Sequence, residues 1–300
     1  MTQRVAVTGS SGLIGTRLVA HLRARGDDVF RLVRRPPQGP DEVQWDPSSR
    51  RLDPATFDGV TAVVNLAGAG VGEHRWTPGY KAEILTSRTD ATYAVASAIA
   101  ESGGGIRLVS GSAVGFYGSR GEEELTETSE PGTGFLAEVV RAWEASTAPA
   151  VEVGASVAMI RTGLVLAGGG GALGPLLRLA RFGLAGPLGS GRQYWPWITL
   201  EDEVRAIAHL LDSPDVTGPV NLVGPAPARQ KEVAAALADR LGRPAVLPAP
   251  AVALRAVVGE FADDILASQR VVGDVLRGSG FTWSHATLPE AMAWVLADAD

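Results

Sequence analysis

The feature that most limits what this chain can become is its start, Arg4-Val5-Ala6-Val7-Thr8-Gly9-Ser10-Ser11-Gly12-Leu13-Ile14-Gly15. A short apolar run meets three glycines spaced G-x-x-G-x-x-G. An amphipathic pattern follows at once, with Ile14, Leu18 and Leu22 on one face and Gly26 as the stop. That order predicts a strand, a tight turn and a helix over Gly12–Arg25. A second strand, Val29–Val33, completes a unit of ~30 residues, the context that gives a dinucleotide fingerprint its meaning. Glycines let the backbone approach a pyrophosphate, and the helix N-terminus offers free N–H groups and partial positive charge. A glycine-rich turn without a cofactor is the alternative reading of the same residues.

Strand and helix signals then alternate. Strands are expected at Ala62–Leu66, Arg107–Ser110 and Ala158–Arg161, and helices at Pro78–Ser102 and Gly134–Ser146. This predicts an α/β fold, a Rossmann-like doubly wound parallel sheet with helices on both faces. Past residue 167 the pattern changes to a glycine-rich loop, helices at Leu173–Phe182, Glu201–Asp212 and Gln230–Leu241, a short strand at Val220–Val223, and a mainly helical tail ending on Leu288–Leu296. The expected division is a binding domain over 1–166, with 198–225 as a candidate contribution, and a smaller, mainly helical substrate region over 167–300.

The net charge of −6 argues against nucleic acid or an anionic membrane as partner. With no cysteine, disulfides, thiolate metal sites and a Cys nucleophile are excluded. The four histidines lack a metal-ligand spacing. The uncharged stretch from Thr162 to Leu177 is broken by glycines and Pro175 and reads as strand plus loop, not as a membrane span. A cytoplasmic monomer or homodimer acting on a small molecule is the expectation.

In a doubly wound sheet the ligand lies at the carboxyl ends of the strands, so the residues there matter most. After the second strand an acidic residue would accept from the adenosine ribose. This chain has Arg34-Arg35 instead. A guanidinium suits a 2′-phosphate, so the cofactor expected is NADP(H), with Arg34 the primary contact and Arg35 beside it. Two solvated arginines are the plainer alternative. After the fourth strand come Asn65-Leu66-Ala67-Gly68, where small residues let the chain pass under a cofactor; tight strand-to-loop packing is the plainer alternative, and both readings can hold.

The segment Ser110-Gly111-Ser112-Ala113-Val114-Gly115-Phe116-Tyr117-Gly118 resembles the extended short-chain dehydrogenase/reductase group, the NAD-dependent epimerase/dehydratases. The resemblance implies that Ser112 takes the place of the hydroxyl that bonds the substrate oxygen. It also implies a later Tyr-x-x-x-Lys pair, where the lysine lowers the phenol pKa. Here Phe135 and Val139 stand at those positions and can move no proton. An atypical branch with a C-terminal DUF1731-type domain, here from about residue 250 by the resemblance, shares that loss. It matches many motifs in order, among them Arg75-Trp76-Thr77, Lys81, Arg161–Leu166, Gly186–Gln193 and Gly259-Glu260.

The branch resemblance implies further cofactor contacts, so that the expected set is Gly9, Ser11, Gly12, Leu13, Ile14, Gly15, Arg34, Arg35, Leu66, Ala67, Gly68, Glu83, Arg88 and Val165; for Glu83 and Arg88 a solvated ion pair or helix-face charge is the alternative. Tyr117 is the nearest phenol to replace the missing acid, and Lys81 the nearest amine by motif; loop packing for Tyr117 and a solvated surface position for Lys81 are the alternatives. Trp76, Trp195 and Trp197 are candidates for an aromatic wall, or for packing. Arg192-Gln193 are candidates for a polar substrate. Pro196 and Trp195 stand where nucleotide-sugar members carry an arginine, which disfavours a nucleotide sugar. Two functions follow: an NADP(H)-dependent oxidoreductase or epimerase-like enzyme on a small carbonyl or hydroxyl compound, or an NADP(H)-binding sensor without turnover.

Overall fold

The computed structural model describes residues 2–171 and 173–299. Its main sheet has seven strands: β1 (Arg4–Thr8), β2 (Asp28–Val33), β3 (Glu42–Gln44), β4 (Ala62–Asn65), β5 (Arg107–Ala113), β6 (Val157–Thr162) and β7 (Gly218–Leu222). They lie in the order β3-β2-β1-β4-β5-β6-β7, and every pairing is parallel. The chain runs outward from β1 to β3 and then returns to the other side of β1. The crevice between β1 and β4 is therefore the switch point at which such sheets bind ligands.

Alternation along β1 explains the two layers. Val5 and Val7 join one core with Leu18 and Leu22 of α1 (Leu13–Ala24) and with Val204 and Ile207 of the helix Leu200–Leu211. Ala6 faces the other core with Ala94, Val95 and Ile99 of α2 (Pro78–Glu101). Thr77 caps α2 through the Tyr80 N–H, and Pro78 follows at the first helical position, where its missing N–H costs nothing. The helix α3 (Phe135–Ala145) follows β5 and buries Ala137, Val139, Val140 and Trp143.

Helices Gly174–Arg181, Gln230–Arg240 and Leu288–Ala297 share a third core, built on Leu177, Leu237, Met292 and Val295. The segment between the last two of these helices does not stay apart from the sheet. Leu276 and Phe281 enter the β1 core, and Arg270–Val271 pairs in parallel with Glu124–Leu125. The tail is less helical than its composition predicts: Ala251–Val258 and Ala262–Ile265 are short, and loops separate them from Asp274–Gly278 and Leu288–Ala297. Among the described residues no helix is long and apolar enough to cross a membrane.

Strand β3 has no counterpart in the sequence reading. Three residues are too few for an alternation signal, and the parallel register Arg31↔Glu42 to Val33↔Gln44 supplies what the pattern lacks.

Candidate functional site

Two glycines of the opening motif are required by contacts. Gly9 has φ +62°, and a Cβ there would lie 2.4 Å from the Leu66 carbonyl oxygen. At Gly15 a Cβ would lie 2.2 Å from the Gly9 carbonyl oxygen, so only glycine lets α1 pack this close to β1. The first turn of α1 carries no acidic residue, and Gly12 at its N-cap offers no side chain to cap it. Its N–H groups and dipole are left for an anion.

Buried hydroxyls lock the strand ends together. Thr8 Oγ1 donates to Asn65 Oδ1 at 2.7 Å and accepts from the N–H groups of Leu66 and Ala67 at 3.0 and 3.2 Å. Asn65 Nδ2 and Trp143 Nε1 then both donate to Thr92 Oγ1, at 2.8 and 2.9 Å. The turn after β1, the small residues after β4, and helices α2 and α3 thus form one rigid frame.

The two arginines after β2 part company. Arg35 forks onto Glu42 with contacts of 2.7 and 2.6 Å, and Arg31 reaches the same carboxylate at 2.7 Å. Arg35 and the Gln38 N–H hold the Glu42 carboxyl down at about 2. Arg34 is exposed and makes no ion pair among the described residues. Of the pair, only Arg34 has a guanidinium free for a ligand.

Arg88 of α2 packs its side chain against Gly68, 3.1 Å from where a Cβ would begin there. It donates to the Ile84 carbonyl at 3.0 Å and lies 5.2 Å from the Trp143 ring centre. No carboxylate pairs with it among the described residues, and burial lowers it to about 10, so it remains a cation at neutral pH. A half-buried cation without a counterion beside the cofactor crevice suits a phosphate. Glu83 is exposed on α2 and bonds to none of these groups, while Ser11 and Leu13 are exposed at the turn and Ile14 is half-buried. Val165 lies on the strand Leu164–Leu166, opposite Ile198. The glycine-rich loop folds over this corner, since a Cβ at Gly171 would lie 3.1 Å from Leu13 Cδ2 and 3.4 Å from the Val165 carbonyl.

Ser112 and Tyr117 belong to one interior network. Ser112 Oγ donates to Glu144 Oε1 at 2.6 Å. Arg161 forks onto Glu144 and also gives Nη1 to the Tyr117 hydroxyl at 3.0 Å. The Tyr117 hydroxyl donates to Asn221 Oδ1 at 2.7 Å. Tyr117 is fully buried, and that burial raises its pKa. A phenol enclosed in this way, with both roles of its oxygen taken, has no path to a substrate; the expectation of Tyr117 as the acid meets that obstacle. Glu144, Arg161 and Asn221 fall in segments that carry the branch resemblance, yet nothing in the sequence points to their partnership, which depends on the β5–β6–β7 pairing.

The tryptophans also divide. Trp197 is 1% exposed in the third core and donates to the Ala226 carbonyl, so it is packing. Trp195 is half-buried and donates to the Ile265 carbonyl at 3.0 Å. Trp76 meets Phe135 edge to face at 4.9 Å, beside Lys81. Arg192 is exposed, whereas Gln193 is buried and donates to the Leu188 carbonyl. Val139, at the expected lysine position, is buried among Tyr80 and Ile84.

Comparison with known proteins agrees with this architecture. The NAD dependent epimerase/dehydratase family matches residues 5–224, and the domain of unknown function DUF1731 matches residues 249–295. An epimerase family protein of Mycobacterium tuberculosis is 43% identical over 97% of this chain and 96% of its own length. The crystal structure of the human epimerase family protein SDR39U1 (isoform 2), solved with NADPH, superposes with a TM-score of 0.89 at 32% identity, covering 98% of this chain and 99% of that one. A nucleoside-diphosphate sugar epimerase of Corynebacterium glutamicum gives a TM-score of 0.80 at 36% identity, over 99% of this chain and 58% of that one. With this fold, this glycine turn and matches of this extent, the chain belongs to the NAD dependent epimerase/dehydratase family, in the branch that carries a DUF1731 segment.

Proposed function

We propose that this chain is an NADP(H)-dependent oxidoreductase or epimerase-like enzyme acting on a small carbonyl or hydroxyl compound. The observation that carries the cofactor choice is the contrast between Arg34, exposed and free, and Arg35, held by Glu42. A 2′-phosphate needs an unengaged cation at the end of β2, and a carboxylate there would repel it. The NADPH in the human SDR39U1 crystal supports the same choice. Gly9, Gly12 and Gly15 hold the pyrophosphate at the start of α1, Ser11, Leu13 and Ile14 line the turn, and Leu66 to Gly68, Glu83, Arg88 and Val165 border the rest. When bound, a nicotinamide dinucleotide gives or takes hydride at carbon.

The chain's own residues then orient the substrate. Ser112 lies at the end of β5 with its proton directed at Glu144, so it offers lone pairs to a hydroxyl; to polarise a carbonyl it must turn from that carboxylate. Tyr117 we assign to positioning, through Arg161, of the carboxylate that holds Ser112. The region over 167–300 we assign to substrate handling, apart from 198–225, whose helix Leu200–Leu211 and strand Gly218–Leu222 belong to the dinucleotide-binding sheet and its core.

The test is a fluorescence titration with NADPH and NADH. NADPH should bind at least about 10-fold more tightly, and Arg34→Asp should abolish the preference. Equal affinities in the wild type would end the NADP(H) assignment. One observation favours a second reading, a sensor without turnover: Phe135 and Val139 carry no proton, and the Tyr117 hydroxyl is enclosed. Binding of NADPH with no turnover of any carbonyl or alcohol would select it.

A further inference from the structure

Away from the glycine turn, one cluster joins three distant parts of the chain. Lys81, near the start of α2, brings Nζ to 4.6 Å from the centre of the Phe135 ring and 5.7 Å from that of Trp76. Glu260 accepts from it at 2.6 Å. Phe261 leans on Trp76 with ring centres 5.5 Å apart. Glu260 and Phe261 belong to the DUF1731 segment, which Arg75 pins through the Ala256 carbonyl at 3.1 Å and Trp195 pins through the Ile265 carbonyl at 3.0 Å. An amine, its carboxylate partner and three aromatic faces are thus assembled at the start of α3, the helix whose far end holds Glu144 against Ser112.

Three candidate hydroxyls elsewhere in the chain have their protons engaged. Ser112 gives its proton to Glu144, Tyr117 gives its own to Asn221, and Tyr80 donates to the Gly70 carbonyl. Lys81 is different. Its side chain is 28% exposed, and an ammonium that gives one N–H to Glu260 keeps two more. Lys81 also acts electrostatically on Asp264, whose carboxyl burial, Asp263 and Glu260 raise to about 6 against the pull of the Lys81 charge.

We propose that Lys81 is the proton donor to the substrate oxygen in this chain, with Glu260 holding its ammonium against the Trp76–Phe135 wall. This rests on the oxidoreductase reading above. In the reducing direction Lys81 Nζ gives one proton to the oxygen of a carbonyl whose carbon takes hydride. The carbonyl becomes an alcohol, the electron pair arrives with the hydride of the reduced nicotinamide, and the amine is left neutral until water reprotonates it. Glu260 makes the DUF1731 segment a part of the site, not an appendage.

The test uses the full chain, NADPH and phenanthrenequinone as carbonyl probe, with NADPH affinity measured separately by fluorescence. Lys81→Met should lower kcat by about 100-fold or more, the scale of a lost general acid, while NADPH affinity stays within about two-fold. Lys81→Arg keeps the charge and the pairing with Glu260 but carries a guanidinium that does not release its proton, so kcat should fall with it as well. Glu260→Gln should lower kcat by about 10-fold, as expected of a residue that positions the donor. Unchanged kcat in both Lys81 variants would overturn the assignment and leave the oxidoreductase reading standing. A parallel loss of NADPH affinity would overturn it too, by making Lys81 a cofactor contact. Wild-type protein that binds NADPH yet reduces nothing would overturn both in favour of the sensor.

Discussion

Ser112 Oγ donates to Glu144 Oε1 across 2.6 Å, and this one bond ties the end of β5 to α3. The same carboxylate takes Nε and Nη2 of Arg161 at 2.8 and 2.9 Å. Arg161 is 3% exposed and also stacks on Phe116, with 3.5 Å to the ring centre. Ser112 therefore sits on the edge of a buried ion pair, and its orientation depends on that pair.

Glu144→Ala should leave the Arg161 guanidinium buried without its counterion and destabilise the fold by about 3–5 kcal/mol. Ser112→Ala removes one hydrogen bond and should cost about 1 kcal/mol. Urea unfolding of both variants checks the contrast; equal losses would mean that Arg161 finds a replacement partner.

The separation of the two arginines after β2 gives an affinity test. Arg34→Ala should weaken NADPH binding by about 10-fold, one charge-assisted contact, whereas Arg35→Ala should change it by less than about two-fold. Titration of both variants decides it. If Arg35→Ala has the larger effect, the fork onto Glu42 opens when cofactor binds.

Tyr117→Phe should cost about 1–3 kcal/mol in stability, because Asn221 Oδ1 and Arg161 Nη1 both lose a partner in the interior. NADPH affinity should not change. Thermal unfolding with an NADPH titration tests this. A variant as stable as wild type but inactive would instead make Tyr117 a direct proton carrier.

Glu203 is fully buried, and burial raises its carboxyl to about 8. Oε1 accepts from Thr162 Oγ1 at 2.7 Å, while Oε2 has no partner among the described residues. The folded pKa lies above the unfolded one. The protonated carboxyl thus adds stability that is complete below about pH 4.5 and lost as pH rises through about 8. Glu203→Gln, which cannot ionise, should be more stable than wild type at pH 8 by about 1–3 kcal/mol and should show no such gain at pH 5. Urea unfolding at the two pH values measures it; the same difference at both would mean that Glu203 ionises without penalty.

Much of the fold was legible because its signals are local. The runs at β1, β2 and β4 are apolar on both faces, as strands of a parallel sheet must be. The Gly9–Gly15 turn could be read as well, since its spacing follows from the close approach of α1 to β1. Strand β3 and the broken tail were not legible. Three residues carry no period, and Leu276 and Phe281 are apolar for the sake of a core whose other half begins at Val5.

By itself the sequence determined the strand, glycine turn and helix of a dinucleotide fingerprint, since Gly9 to Gly15 declare themselves by residue type and spacing, and its resemblance to the family marked Phe135 and Val139 as standing where the usual proton-carrying pair is expected. Only the tertiary structure decided which side chains stand free. Arg34 and Arg35 are neighbours of the same chemistry, yet Glu42 captures one of them. Tyr117 has the right functional group, yet Asn221 and Arg161 enclose it. Lys81 and Glu260 are separated by 179 residues and meet over Phe135. The physical reason is common to all three. Spacing along a chain sets backbone geometry, whereas the state of a charge or a hydroxyl is set by what the fold brings against it.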